Sequence, residues 1–307
     1  LGMPMEGGIH NGYYDNFGFA VDLNEAGDRL VASSLYGDLG NGTESGFVQA
    51  YEFIDGEWQQ IGSSLQGAGV NSHFGVKVAM NATGSRFLVG ADSGAGAIYV
   101  YEEVDGDWQL LGQELLGSEL GINLMYNGTI DKIGNTIAFT QYTGPQGTYV
   151  YTLEDNMWLP KGTLVPLGGY CSLNGDGSIL GVSRSNGGDG LARVYQFQTD
   201  DWVQLDDDIS GDSGDYLGVS NDLNYTGNRF LIGAVGAGPS LTGATKVYIN
   251  GNISYAPIPY LSDLPVISAG CSVESLDPPL AYNNNDDAIV GVTATEFPIL
   301  ESTTVIW

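Results

Sequence analysis

The apolar and polar positions of this chain fall into short alternating runs rather than helical stripes. Val48 and Ala50 lead into Tyr51, and Ile98 and Val100 lead into Tyr101, with apolar side chains on every second residue. A period of two is the mark of a half-buried strand, because successive side chains of an extended backbone point to opposite faces. Asp55-Gly56 and Asp105-Gly106 follow, dipeptides that accept the positive φ angles of a tight hairpin, and each leads to a tryptophan. The same spacing of seven recurs at Tyr51 and Trp58, Tyr101 and Trp108, Tyr151 and Trp158, Tyr195 and Trp202, and Tyr248 and Tyr255. The chain is therefore predicted to repeat one hairpin.

A second hairpin precedes the first in each unit. It runs from Phe17-Gly18 through Gly27 to Leu30-Val31-Ala32, from Phe74-Gly75 through Gly84 to Phe87-Leu88-Val89, and from Leu217-Gly218 through Gly227 to Phe230-Leu231-Ile232. In all three the turn glycine lies nine residues after the first; Asn24, Asn81 and Asn224 sit three before it, and Arg29, Arg86 and Arg229 two after it. Four antiparallel strands per unit, repeated about every fifty residues, predict an all-β fold in which blades ring an axis: a β-propeller of four-stranded blades. An open solenoid is the alternative, although its coils are usually shorter. The units end near 67, 117, 168, 211, 265 and 307, making a single domain over 1–307 with six repeats, six blades being expected and seven remaining open. The third, fourth and sixth units are degenerate, with Ile122 and Asn123 displacing the Phe-Gly pair and Pro278-Pro279 and Asn283-Asn284-Asn285 interrupting the last. Leu1-Gly2 matches Ile61-Gly62 and Leu111-Gly112 late in a fourth strand, whereas Thr303-Thr304-Val305-Ile306-Trp307 reads as a third. The last blade is thus expected to be completed by residues 1 to 8 or by self-association with a neighbouring chain.

Phe74-Gly75 followed by Gly90-Ala91, echoed at Phe17-Gly18 and Gly233-Ala234, resembles the FG-GAP repeat of integrin-α-type propellers. The resemblance implies a propeller fold in an extracellular setting, and it implies no activity, since that repeat is scaffold. Integrin-type repeats often carry a calcium loop. The corresponding turns here, Asp22 to Asp28, Asn81 to Gly84 and Asn174 to Gly177, lack the full series of oxygen ligands and read as plain hairpin turns, so no cofactor is expected and calcium stays open.

Composition supports many strands and turns, with 47 Gly and 18 Tyr. Nine basic residues against 37 acidic ones give a net charge of -28, a field that repels phosphate backbones and anionic headgroups and so excludes nucleic acid as a partner. No run approaches the roughly twenty apolar residues of a membrane span. Sequons at Asn41, Asn81, Asn127, Asn224 and Asn252 are more than composition would give and point to N-linked glycans and a secreted, extracellular protein. Cys171 and Cys271 lie near the starts of inner strands two units apart, a placement that favours two free thiols over a bridge.

Catalytic material is sparse. His10 and His73 are the only histidines, which excludes a multi-histidine metal centre, and His73 is expected to have a surface or hydrogen-bonding role rather than to act as a general base. Asp206-Asp207-Asp208 with Asp212 and Asp215 read as a solvated loop, a calcium site or an acid and base pair being the alternatives. The regular spacing of Trp58, Trp108, Trp158 and Trp202 says blade packing rather than sugar stacking. Together these features predict a non-enzymatic extracellular glycoprotein that is a structural subunit of a surface layer, matrix or filament. A glycan- or receptor-binding module is the alternative, and a calcium-assisted hydrolase the third reading.

Overall fold

The computed structural model describes residues 3–10, 13–39, 44–120, 123–143, 147–185, 188–238, 242–249, 258–259, 280–282 and 288–290. A short hairpin of β1 (Ile9–His10) and β2 (Tyr13–Tyr14) comes first. The first blade is the antiparallel sheet β3 (Phe17–Leu23), β4 (Arg29–Ser34), β5 (Phe47–Ile54) and β6 (Glu57–Gln66), in that order. The second holds β7 (Lys77–Met80), β8 (Arg86–Ala91), β9 (Ala97–Val104) and β10 (Asp107–Leu110), with β11 (Leu115–Leu116) continuing along β9 and a single helical turn, α1 (Gly117–Leu120), beyond it. The third is β12 (Asn123–Ile130), β13 (Thr136–Thr143), β14 (Thr148–Glu154) and β15 (Met157–Pro160), and the fourth β16 (Tyr170–Leu173), β17 (Ile179–Arg184), β18 (Leu191–Gln198) and β19 (Asp201–Ser210). The fifth contributes β20 (Leu217–Leu223), β21 (Arg229–Ala234) and β22 (Ala244–Ile249), and a further three-stranded sheet joins β23 (Ile258–Pro259), β24 (Leu280–Tyr282) and β25 (Ala288–Val290).

The first strand of each of the five blades packs on the first strand of the next, from β3 through β7, β12 and β16 to β20. Asp222 of the fifth blade interacts electrostatically with Lys132, Asp22 and Lys77 of the third, first and second. Four blades meeting around one carboxylate means that these strands converge on an axis, and the architecture is a β-propeller of four-stranded blades. Between blades lie separate apolar cores. One joins Leu88, Val100 and Leu111 of the second blade to Ile137, Phe139 and Trp158 of the third, and another joins Ala138 and Val150 to Leu180, Val182 and Trp202.

Two repeated devices set the blade spacing. The indole Nε1 of Trp108 donates to the Ile61 carbonyl at 3.0 Å, that of Trp158 to Leu111 at 2.8 Å, and that of Trp202 to Lys161 at 2.7 Å, always the residue three beyond the previous blade's tryptophan. The pyrrole edge of the ring then lies against the glycine that follows. A Cβ on Gly62, Gly112 or Gly162 would approach Cδ1 of the next tryptophan to 2.6, 2.8 or 2.9 Å, and all three glycines hold positive φ. The residue before each ring completes the lock. Asp107 and Asp201 accept the backbone N–H of Ser63 and Thr163 across the junction at 2.7 and 2.8 Å, while at Met157, where no carboxylate stands, the Gln113 side chain bonds both backbone groups of Trp158 instead.

The second device is the turn between first and second strands. Asn24, Asn81, Asp131, Asn174 and Asn224 occupy one position, each side-chain oxygen accepting backbone N–H groups from the residues that follow. The next residues form a chain of backbone hydrogen bonds around the axis: Glu25 to Ala82 at 3.1 Å, Ala82 to Lys132 at 3.0 Å, Lys132 to Gly175 at 3.1 Å and Gly175 to Tyr225 at 2.7 Å.

Several expectations are corrected by this geometry. Asp206, Asp207 and Asp208 lie within strand β19, not in a loop, with Asp206 at φ 54° where the strand bulges against β18. Trp58 is only partly buried, unlike Trp108, Trp158 and Trp202, which are 6, 1 and 9% exposed. Asn41, Asn252, Tyr255, Cys271 and the segment Thr303–Trp307 lie outside the described residues.

Candidate functional site

In an up-and-down blade, the first strand starts and the second ends on the same rim of the ring. The opposite rim carries the tight turns. These two rims differ in what their chemistry-bearing residues do.

On the turn rim those residues are absorbed by the scaffold. Asn81 is 2% exposed; its Nδ2 donates to Thr83 Oγ1 at 3.1 Å and its Oδ1 accepts the Arg86 N–H at 3.0 Å. Asn224 repeats the pattern with Thr226 and Arg229, at 3.1 and 2.8 Å. An Asn with a Thr two residues on is what this turn needs, so the fold itself writes two of the sequons. A glycan on the buried Asn81 amide would require the turn to open. Asn127 stands in strand β12 on the innermost layer, at the register occupied by Lys77 and Tyr170 in the next blades. Asn81 and Asn224 thus lose their weight as an argument for an exterior location, which stands as an expectation. Arg29 pairs with Glu52 on its own sheet and Glu103 on the next, and Arg86 with Glu102.

One turn is an exception. Asp131 replaces the asparagine of its neighbours; Oδ1 accepts N–H groups of Gly134, Asn135 and Thr136 at 2.7 to 3.1 Å, but Oδ2 is buried without a hydrogen-bond partner. Burial pushes its carboxyl up to about 6, against those backbone donors. Nearby Lys161 stands where Ile61 and Leu111 fill other junctions. Its ammonium donates to the Gly177 carbonyl at 2.7 Å, lies 5.1 Å over the Phe197 ring, and is lowered by burial despite Asp131 and Asp176. Cys171 is buried and its thiol is pushed up to about 12 by burial, leaving it unreactive. Within the channel Asp22 accepts the N–H of Leu23 and, across the junction, of Met80, capping the unpaired edges of the inner strands. Asp222 caps Leu223 at 3.0 Å; solvent reaches it, yet crowding by the inner strands holds its carboxyl above the usual range.

The mouth rim is different. Asn16, His73 and Tyr216 share a left-handed position ahead of Phe17-Gly18, Phe74-Gly75 and Leu217-Gly218, with φ of 56, 51 and 50°. The strain therefore belongs to the repeat, but the side chains it presents do not repeat. His73 Nδ1 meets Asp92 Oδ1 at 2.6 Å, with the imidazole 32% and the carboxylate 12% exposed. Tyr36 packs edge-on against the imidazole at 5.5 Å between ring centroids. The backbone beneath is pinned, since the His73 carbonyl accepts the Val76 N–H at 3.0 Å and the Phe74 N–H reaches the Ser45 carbonyl at 2.9 Å. Around the same mouth Tyr36 and Tyr216 both stay 40% exposed. Tyr216 directly precedes β20 and Tyr36 follows β4, so topology puts both on this rim, whereas Tyr170 stands deeper, at the register of Lys77 on the innermost strand.

Sequence reasoning assigned His73 a hydrogen-bonding role and missed its partner, because Asp92 lies in an unpatterned loop. The acidic run does not assemble a site: Asp208 pairs with Arg193 and Asp215 with Lys246. No group of three or more His, Cys, Asp or Glu able to hold a metal ion occurs among the described residues. No helix among them is long and apolar enough to cross a membrane.

No family model matches this chain, and no curated protein matches it in sequence. The FG-GAP resemblance accordingly rests on its short motifs alone. Solved structures are similar in fold. The β-propeller domain of Cps50 (Swd1) from Myceliophteria thermophila aligns over 87% of this chain and 79% of its own, at 12% identity and a TM-score of 0.51. A "putative 6-phosphogluconolactonase" from Bacteroides uniformis ATCC 8492 aligns over 92% and 85%, at 13% identity and a TM-score of 0.50. Another protein so described, from Bacteroides fragilis NCTC 9343, aligns over 65% of this chain at 13% identity and a TM-score of 0.45, and the match spans about half of that protein, 55%. At such identities the likeness is one of fold. It still corrects the expectation of a non-enzymatic protein: that expectation took the scaffold to carry no chemistry, and the scaffold is similar to that of the Bacteroides uniformis protein described as a "putative 6-phosphogluconolactonase".

Proposed function

We propose that the protein is a saccharide-binding propeller whose site is the mouth rim. The observation that carries this reading is the pair of partly exposed tyrosines, Tyr36 and Tyr216, on the rim that also bears the His73–Asp92 pair. Aromatic faces left open beside fixed hydrogen-bonding groups match a ligand with apolar ring faces and hydroxyl edges. The net charge of -28 disfavours anionic polymers and favours a neutral saccharide. An extracellular setting is part of the proposal. Titration calorimetry against neutral oligosaccharides tests it. Tyr36→Ala and Tyr216→Ala should each weaken binding about tenfold, the worth of one aromatic contact. Absence of binding, or equal affinity in both variants, overturns the reading.

A second reading, an assembly subunit, has its own support. Phe19, Val21 and Leu23 of the first blade are 50, 65 and 51% exposed, whereas Val76, Val78 and Met80 at the same register of the second blade are 6, 1 and 3% exposed. Leu231 and Val247 on the far side of the fifth blade are likewise 43 and 57% exposed. Faces of this kind are normally covered, here by the chain's own sixth unit or by a neighbouring chain. Sedimentation as a concentration-dependent oligomer favours assembly, and a monomer at every concentration removes it.

A further inference from the structure

We propose that the His73–Asp92 pair is a general-base dyad that hydrolyses a carboxylic ester carried by the saccharide bound at the mouth, an inference that rests on the binding reading above. The first support is geometry. Asp92 holds Nδ1 of the imidazole at 2.6 Å, and Tyr36 braces the ring edge-on at 5.5 Å, so the ring is oriented, and a carboxylate, which only accepts, favours the tautomer with the proton on Nδ1. Nε2 is then the basic nitrogen. It points away from Asp92 on a side chain that solvent reaches. A largely shielded carboxylate and an imidazole that it orients on a partly exposed side chain are the base half of a hydrolytic site.

The second support is that the pair is not part of the repeat. Leu35 and Val235 stand where Asp92 does, and Asn16 and Tyr216 where His73 does. Some ion pairs of the scaffold recur from blade to blade, as Arg29 with Glu52 and Arg86 with Glu102 do, while Arg193 with Asp208 and Lys246 with Asp215 each belong to one blade. The His73–Asp92 pair also occurs once, on the rim where the tyrosines are left open.

The chemistry selects the substrate class. A single base without a paired acid suits attack of water on an ester carbonyl better than glycosidic cleavage, which calls for two carboxyl groups about the bond. Water oxygen forms a bond to the carbonyl carbon as its proton passes to His73 Nε2. The tetrahedral intermediate then collapses, the carbon to alkoxy-oxygen bond breaks, and the imidazolium returns the proton to the departing sugar hydroxyl. The products are a carboxylic acid and a free alcohol, with no change of oxidation state. His73 is the catalytic residue; Asp92 is a positioning residue.

The test uses the full chain with an O-acetylated neutral oligosaccharide, following acetate release and, separately, calorimetric binding of the same compound. The expected result is turnover that falls at least a hundredfold in His73→Gln. Asp92→Asn should lower kcat by tenfold or more with KM and thermal midpoint unchanged, a split that a merely structural residue would not give. Binding without acetate release, or release undiminished in His73→Gln, overturns the dyad while leaving the binding reading intact; no binding at all overturns both. Because His73→Gln could disturb the loop, His73→Asn serves as a second variant, and both must keep the thermal midpoint of the parent.

Discussion

The two rims of this propeller are built from the same strands and have opposite chemistry. At the turn rim the position held by Asn24, Asn81, Asp131, Asn174 and Asn224 performs one task five times, and the residues after it lock together around the axis. At the mouth rim equivalent backbone positions present Asn16, His73 and Tyr216, three unlike groups on one strained conformation. Where the chemistry recurs it is consumed in holding blades together. Where it does not recur, it is available. The comparison predicts large stability effects at repeated positions, and small ones where an ion pair belongs to one blade alone.

The largest effect should come from the tryptophan junctions. Trp158 is 1% exposed, lies on Gly112 and donates to Leu111, so Trp158→Ala removes packing and leaves a carbonyl unpaired, at a cost of about 3–5 kcal/mol. Trp58 occupies the same register but is only partly buried, and Trp58→Ala should cost about half as much. Chemical denaturation of the two variants measures the difference. Equal losses would mean that junction position does not govern the contribution of the ring.

A smaller effect of opposite sign is expected at Asp131. Its carboxyl is raised from 3.8 to about 6 in the folded protein, so the native state holds the proton more tightly than the unfolded chain does. The burial penalty is absent below about 3.8 and fully present above about 6, and the group therefore lowers stability as pH rises through that window. Asp131→Asn keeps the Oδ1 acceptor and gives the buried second atom the identity it has in the neighbouring turns. Stability at pH 7 should rise by about 1–3 kcal/mol, and the decline between pH 4 and 6 should flatten. Thermal midpoints across that range decide it, and an unchanged slope would show that the carboxylate is not strained as described.

Much of this was legible in the sequence because repetition is itself a signal. Phe-Gly, the Asn three before a turn glycine, and the tyrosine-to-tryptophan spacing each report a contact made in several blades, so one pattern could be checked against another. Asp131 and Met157 broke the pattern in letters but not in structure, since Oδ1 still caps the turn and Gln113 replaces the missing carboxylate. Two of the sequons carry a second meaning for the same reason that the repeat informed: Asn81-Ala82-Thr83 and Asn224-Tyr225-Thr226 are turn chemistry that coincides with a modification signal. The mouth site left no periodic trace. His73, Asp92 and Tyr36 come together from separate loops, and no spacing rule links them.

The smallest effect is expected at the fourth blade's exposed pair. Arg193 donates Nε to Asp208 Oδ1 at 2.7 Å and Nη2 to Oδ2 at 2.8 Å, and Gln204 adds a third bond at 2.9 Å. These donors, the guanidinium first, hold the Asp208 carboxyl down to about 2. Taken at face value so large a shift would suggest a strong interaction. The carboxylate side chain is nonetheless 43% exposed, and no other blade uses the pair. Water and salt screen such contacts, and holding two flexible side chains together costs entropy, so Asp208→Asn should lose less than about 1 kcal/mol at pH 7. A depressed folded value means that this contribution is present above the ordinary carboxylate value and disappears as pH falls through about 2. It should also shrink in 1 M salt, where the screening length is about 3 Å. Paired denaturation curves for parent and variant at low and high salt provide the measurement. A loss comparable to that of Trp58→Ala, or one indifferent to salt, would mean that a contact found in one blade can carry as much of the fold as one repeated around the ring.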